Sequence, residues 1–263
     1  MKLSKRTFTG VFSLLLFVMV FAVSSTLSAR DYYQIKVYNI KNSDQEVRLD
    51  NYLKNAYLPA MHRAGVKNVG VFKPIADDAA AGTKIFVFIP LTKLGDIEVL
   101  EAKLAKDKKY QTDGADYIND SWENPPYERI ESILLKAFAK MPKYGVPNHK
   151  TPASEQIYEL RSYEGPTEEM YRKKVEMFND GGEVAIFNGL DFQEVFYGEV
   201  LSGSAMPNLM YMTTFANMKT HDEHWDAFRA HPDWLKLKEV EKYKHTVSGS
   251  TKYLMHPTDY SDL

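Results

Sequence analysis

Glutamate, arginine and tyrosine occupy alternate positions of one short stretch, Glu159, Arg161 and Tyr163. In a strand, alternate residues share a face, so the three side chains would stand together. A carboxylate beside a guanidinium and a phenol can hold a small polar or anionic molecule, because the guanidinium fork offers several N–H donors. Gln34, Lys36 and Tyr38 alternate in the same way 125 residues earlier. A purely structural ion-pair network, or a solvated sheet face, would leave the same pattern in the sequence.

A second group is His221, His224 and His231 with Trp225 and Trp234. Two histidines three apart on a helix can share a metal as neutral imidazoles, but they need a third ligand. Asp222 and Glu223 fall elsewhere on the helical wheel, and no HExxH stands anywhere in the chain. No metal is therefore expected. His221 falls on an apolar stripe and reads as a core residue, while His224 and Trp234 remain candidates for contact with a ligand. His62, near the end of a predicted helix, suits the negative end of the helix dipole. The chain has no GxSxG, no GxGxxG, no Walker loop and no EF-hand loop. It has no cysteine either, which excludes disulfides, thiolate nucleophiles, thiolate-bound metals and a lipid-anchoring cysteine. No cofactor is expected.

These residues need elements to position them. Leu209–Phe215 is apolar or β-branched throughout and predicts a buried strand. Asn217 is a suitable N-cap for the helix that follows, whose stripe is Met218, His221, Trp225 and Phe228. Pro232 interrupts that helix and Trp234 anchors the end of the layer. Ahead of this unit, Ile157–Tyr163 predicts a strand, Pro166–Asn179 a helix with Met170, Tyr171, Val175 and Phe178 inward, and Leu190–Leu201 a strand. Val247–His256 predicts the closing strand.

The first half follows the same plan. Tyr32–Tyr38, Val66–Ile75 and Lys84–Pro90 predict strands. Ser43 opens a helix with Glu46 completing a capping box, and Leu94–Ala105 predicts a second helix. Tyr127–Ala139 carries the last apolar segment. Tyr33, Ile35 and Tyr38 match Tyr158, Leu160 and Tyr163 at an offset of 125, and Ile85 and Leu94 match Leu209 and Met218 at 124. Each half is therefore β-α-β-β-α-β, the ferredoxin-like plan. Helices cover only one face of such a sheet, so the other face needs a partner, and two linked copies can cover each other. Tyr33, Ile35 and Val37, like Tyr158, Leu160 and Ser162, are assigned to the helix side. The polar set would then converge between the sheets.

The length suffices for either one large core or two ordinary ones. Hydrophobic residues make up 44% and charged residues 26%, with no charge block, which places the chain among globular proteins. Met1–Ala29 has the order of a secretory leader: Lys2, Lys5 and Arg6, a 13-residue uncharged run Val11–Val23, then small residues. That run is short for a membrane span. Losing the leader takes the net charge from −2 to −5, which argues against nucleic-acid binding. The expectation is a secreted or periplasmic protein with no stable membrane insertion after leader removal.

Tyr158–Tyr163 (YELRSY), a buried third strand, and the helix end Phe228–Leu237 (FRAHPDWLKL) resemble the NIPSNAP family. His231 stands where the family pattern has an acidic residue. The first half is a divergent copy, with Asp107 kept but Lys108 and Tyr110 replacing proline and tryptophan. The resemblance implies an α+β fold: two tandem ferredoxin-like (β-α-β-β-α-β) domains packed sheet to sheet as an intrachain dimeric α/β barrel. The domains would be 30–140 and 155–263, joined by a linker over 141–154 that holds three prolines and one glycine. Haem-degrading relatives of that fold carry an axial histidine where this chain has Lys238 and, in the first half, Gly114, so haem is not expected.

The leading expectation is a small-molecule-binding barrel, with Lys36, Tyr38, Glu159, Arg161, Tyr163, His224 and Trp234 as contact candidates and no assigned catalysis. One alternative is a cofactor-independent monooxygenase or proton-transfer enzyme using Glu159, Arg161, Tyr163 and Tyr38. Another is a protein-interaction module displaying its outer helices. A homo-oligomer stays open.

Overall fold

The computed structural model describes residues 29–263. The leader reading, apart from Ala29, lies outside them.

The first half runs β1 (Tyr32–Asn39), α1 (Ser43–Tyr52), a π-helical turn (Leu53–Tyr57), α2 (Leu58–Ala64), β2 (Gly70–Pro74), β3 (Lys84–Leu91), α3 (Asp96–Lys106), α4 (Lys108–Asp113), α5 (Ala115–Ile118) and β4 (Arg129–Ala137). The second runs β5 (Ile157–Glu164), α6 (Glu168–Asn179), α7 (Glu183–Gly189), β6 (Phe196–Ser202), β7 (Asn208–Phe215), α8 (Met218–Ala230), α9 (Pro232–Leu237), a 3₁₀ turn (Glu241–Tyr243) and β8 (Gly249–Pro257).

The repeated strand and helix order is present. Asn217 caps α8 in a full capping box with Thr220. At α1 the cap is Asn42 rather than Ser43, its side chain accepting from the Gln45 N–H. Helix α7 was not foreseen in the sequence. Gly182, at φ 91°, turns the chain in the left-handed region after α6, and Val184, Ile186 and Phe187 then bury a new helix.

The eight strands close into one antiparallel barrel in the order β1-β3-β2-β8-β5-β7-β6-β4. Strand β1 lies between β3 and β4, and β5 between β7 and β8. The halves are joined edge to edge by β4 with β6, where Leu135 faces Val200, and by β2 with β8, where Phe72 faces Pro257. Closure pairs the outer strands that an open sheet would leave free.

The barrel interior corrects the assignment of strand faces. Tyr33, Ile35 and Val37 point into the barrel, where they meet Phe72, Phe88, Tyr158, Leu160, Phe196 and Met212. The Phe88 and Phe196 rings stack at 5.2 Å across the two halves, and Tyr33 touches both. Glu159, Arg161, Tyr163, Lys36 and Tyr38 lie on the outer face, under the helices, and do not converge between the sheets. The reason is dimensional. An eight-stranded barrel is just wide enough for side chains to fill, and a closed interior strips water from any charge placed there. The layer between sheet and helices is open at its edges, so long polar side chains can reach water from it. One hollow of about 100 Å³ remains at a barrel mouth, beside Ser162, Asn208 and Glu131.

Residues 141–154 do more than connect. They cross one barrel end, with Tyr144 packed on Phe88, Lys143 donating to Asp31 at 2.6 Å, and the Gly145 N–H donating to the Val195 carbonyl at 2.8 Å. A Cβ at Gly145 would lie 2.3 Å from the Glu194 carbonyl oxygen, so the chain passes there only as glycine.

Candidate functional site in the second helix layer

Strand β5 presents Glu159, Arg161 and Tyr163 to the underside of α6 and α8. The α8 stripe brings His221 and Trp225 down onto them. Glu159 is fully buried. Its Oε1 accepts from Arg161 Nε at 2.9 Å and lies 2.8 Å from Arg161 Nη2. Its Oε2 accepts from the Trp225 indole N–H at 2.6 Å. His221 Nε2 lies 3.3 Å from that same oxygen. The Arg161 guanidinium is sandwiched onto the Trp225 ring, 3.8 Å from its centroid, and donates to the Tyr163 hydroxyl at 3.2 Å. Tyr163 in turn shares a hydrogen bond with the buried Tyr211 at 3.0 Å.

A second charge pair closes the layer. Lys174 of α6 donates to Glu183 of α7 at 2.9 Å, and both are buried. The Lys174 ammonium lies 4.6 Å from the Phe178 ring centre and 5.9 Å from that of Trp234. Trp234 packs on Phe228 at 4.6 Å. Between these groups is a cleft of about 350 Å³, lined by Arg161, Tyr163, Lys174, Trp225, Trp234 and Ser250 among others. Its size falls in the range of small-molecule pockets.

Burial pushes the Glu159 carboxyl up, but the adjoining His221 ring and the Arg161 charge outweigh it and hold the group below the ordinary carboxylate value. A carboxylate so held is ionised and poorly suited to take up a proton near neutral pH. The sign for stability follows from the depressed value. Its contribution is present above the ordinary carboxylate pKa of about 4.3 and is lost as pH falls from there toward the folded-state value. Wild type should therefore lose more stability than Glu159→Gln between neutral pH and the acid side of that range. Equal losses in urea titrations would show that the carboxylate is not the coupled group.

Of the residues picked out in the sequence, the structure gathers Glu159, Arg161, Tyr163 and Trp234. It separates the others. Lys36 and Tyr38 stand on β1, four strands from β5 either way round the barrel. There the Lys36 ammonium lies 5.3 Å from the Tyr57 ring centre, and burial lowers its pKa. Tyr38 is buried edge-on to Tyr127. His224 packs against Phe192 and Phe215 at 5.7 and 5.8 Å, away from the cleft. Sequence reasoning missed Lys174 and Glu183, although one signal was there. Lys174 sits four residues from both Met170 and Phe178, inside the apolar stripe of its helix, where a lysine needs a buried partner. Trp225 stands in the second group and on the apolar stripe, but a stripe position does not reveal where an indole N–H points. Among the described residues, no three His, Asp or Glu side chains come together so as to hold a metal ion. No helix of the described residues is long and apolar enough to cross a membrane.

The NIPSNAP family model matches residues 158–262, which span this cleft. No curated protein matches the chain in sequence. Among solved structures, a candidate monooxygenase from Lactobacillus acidophilus superposes over 87% of this chain and 94% of its own, with 12% identity and a TM-score of 0.57. A candidate monooxygenase from Fusobacterium nucleatum superposes over 88% and 93%, with 9% identity and a TM-score of 0.57. A NIPSNAP family protein from Agrobacterium tumefaciens covers 41% of this chain and 98% of its own at 18% identity and a TM-score of 0.36. At these identities the full-length likenesses are ones of fold. Residues 158–262 match the NIPSNAP family model, and together with the half before them they close an eight-stranded antiparallel barrel within one chain.

Proposed function

We propose that the protein is an exported binding protein, and that the cleft beside Arg161 takes a small molecule with an anionic head and an apolar body. The observation that carries this is the state of Arg161. Glu159 and Tyr163 occupy three of its five N–H donors, Trp225 fixes the plane of the fork, and its side chain keeps 21% of its surface exposed. Two donors are left for a planar acceptor such as a carboxylate. Trp234 and Phe228 supply the apolar wall. The depressed Glu159 carboxyl favours this reading over proton-transfer catalysis, which needs a base with a value near the working pH.

A thermal-shift screen with a panel of small carboxylates tests the proposal. Members that raise the melting temperature of wild type should give no shift with Arg161→Met and a reduced shift with Arg161→Lys. The lysine variant keeps the charge and loses the fork. Unchanged shifts in both variants would mean that Arg161 takes no part in binding and that its ion pair serves only the fold.

Export rests on the leader-like order of Met1–Ala29. The mature protein recovered outside the cytoplasm should have the mass of a chain starting at or near Arg30. Recovery only at the full mass of 30.2 kDa in a membrane pellet would overturn it.

A further inference from the structure

The first half carries a groove of about 860 Å³, bounded by α1 with its π-helical turn on one side and by α4, α5 and the loop 119–124 on the other. In the second half the corresponding strip is covered. At the repeat offset, Asn51 answers to Glu176, and there the 3₁₀ turn folds over the helix, with Lys242 and the Tyr243 hydroxyl both bound to Glu176. The groove therefore belongs to one copy of the repeat and not to the fold as such.

Its chemistry differs from that of the Arg161 cleft. Asn51, Asn55, Asn119 and Asn124 line it, and each carboxamide both donates and accepts. The charged residues of the lining are Asp113, Asp116, Asp120 and one cation, Arg48, which is paired with Asp120. An anion would be repelled. The floor is a rigid aromatic pair, Tyr52 and Tyr117, stacked at 3.6 Å and 6°. In sequence between the lining residues Asp120 and Asn124, Trp122 stands 87% exposed. The five-residue π-helical turn Leu53–Tyr57 buries Leu53, Ala56 and Tyr57 and leaves Asn55 exposed on the groove. Such turns inside α-helices are found frequently at functional sites.

We infer that this groove binds a neutral polyhydroxylated molecule of the carbohydrate class. Closely spaced groups that give and take hydrogen bonds match adjacent hydroxyls, which do the same. The electron-rich face of an exposed indole attracts the C–H-bearing face of a sugar ring. Trp122 is the stacking platform, and Asn51, Asn55 and Asn119 are the polar partners.

The test is titration of the mature protein with maltotriose, cellotriose, xylotriose and chitotriose, followed by tryptophan fluorescence and calorimetry. At least one saccharide should bind and alter the emission of Trp122, identified by its absence in Trp122→Phe. Trp122→Ala and Asn55→Ala should each weaken that binding by about tenfold or more. Both positions are exposed, so melting temperatures should not move. Arg161→Met should leave the titration unchanged, which separates this groove from the cleft of the second half. The inference is overturned if no saccharide of the panel binds at tens of millimolar, if binding survives Trp122→Ala, or if Arg161→Met abolishes it.

Discussion

Glu159→Ala should destabilise the protein by about 3–5 kcal/mol, the cost typical of removing one member of a buried, hydrogen-bonded charge network. Glu159 is fully buried and takes hydrogen bonds from both Arg161 and the Trp225 indole. Without it the guanidinium keeps its charge beneath α8 with no counter-ion, and the indole N–H loses its acceptor. The double variant Glu159→Leu, Arg161→Leu should recover part of that loss, because it removes the unpaired buried charge, while the Trp225 indole N–H still lacks its acceptor. Chemical denaturation of the two single variants and the double variant measures the coupling directly. A loss under about 1 kcal/mol for Glu159→Ala would mean that water enters the layer and solvates Arg161. The same double variant should abolish the carboxylate shifts proposed for the cleft, so stability and binding part company in one protein.

The second large effect is expected in the barrel. Phe88→Ala should cost about 3–5 kcal/mol through lost burial and the cavity left behind. Phe88 is 1% exposed and touches Tyr33 of its own half, Phe196 of the other half and Tyr144 of the connecting segment. The deletion therefore strikes three parts of the chain at once. Because the sheets of the two halves share one interior, wild type and variant should each unfold in a single transition. In a Trp122→Phe background, fluorescence from Trp225 and Trp234, which lie in the second half, should follow the same curve as far-UV dichroism of the whole chain. Two separated transitions in wild type would mean that each half holds its own core and that the shared interior adds little.

The architecture was legible in the sequence because it depends on order and period. The repeat offset of 124–125 residues, the buried run Leu209–Phe215 and the Asn217 cap all survive in the structure. Which face of each sheet turns inward was not legible. In β1 and β5 the two alternating sets differ in polarity, but period alone says only that they face apart. Choosing between barrel and helix layer requires knowing that the barrel is closed and full. Four of the candidate residues still stand together, because Glu159, Arg161 and Tyr163 share a face whichever way it points, and Trp234 is placed by the break at Pro232. Lys174 and Glu183 meet through α7, a helix hidden from sequence by its left-handed start at Gly182.

When a barrel of this kind is assembled from two separate but identical subunits, every substitution appears twice, and both helix layers must serve the same purpose. Here the two layers are encoded independently. A change at Arg161 leaves its counterpart Lys36 untouched, and a groove can open beside Tyr117 while the matching strip stays shut under Tyr243. Covalent joining thus releases the molecule from symmetry. One scaffold can specialise twice, provided that the residues meeting along its common axis continue to fit one another.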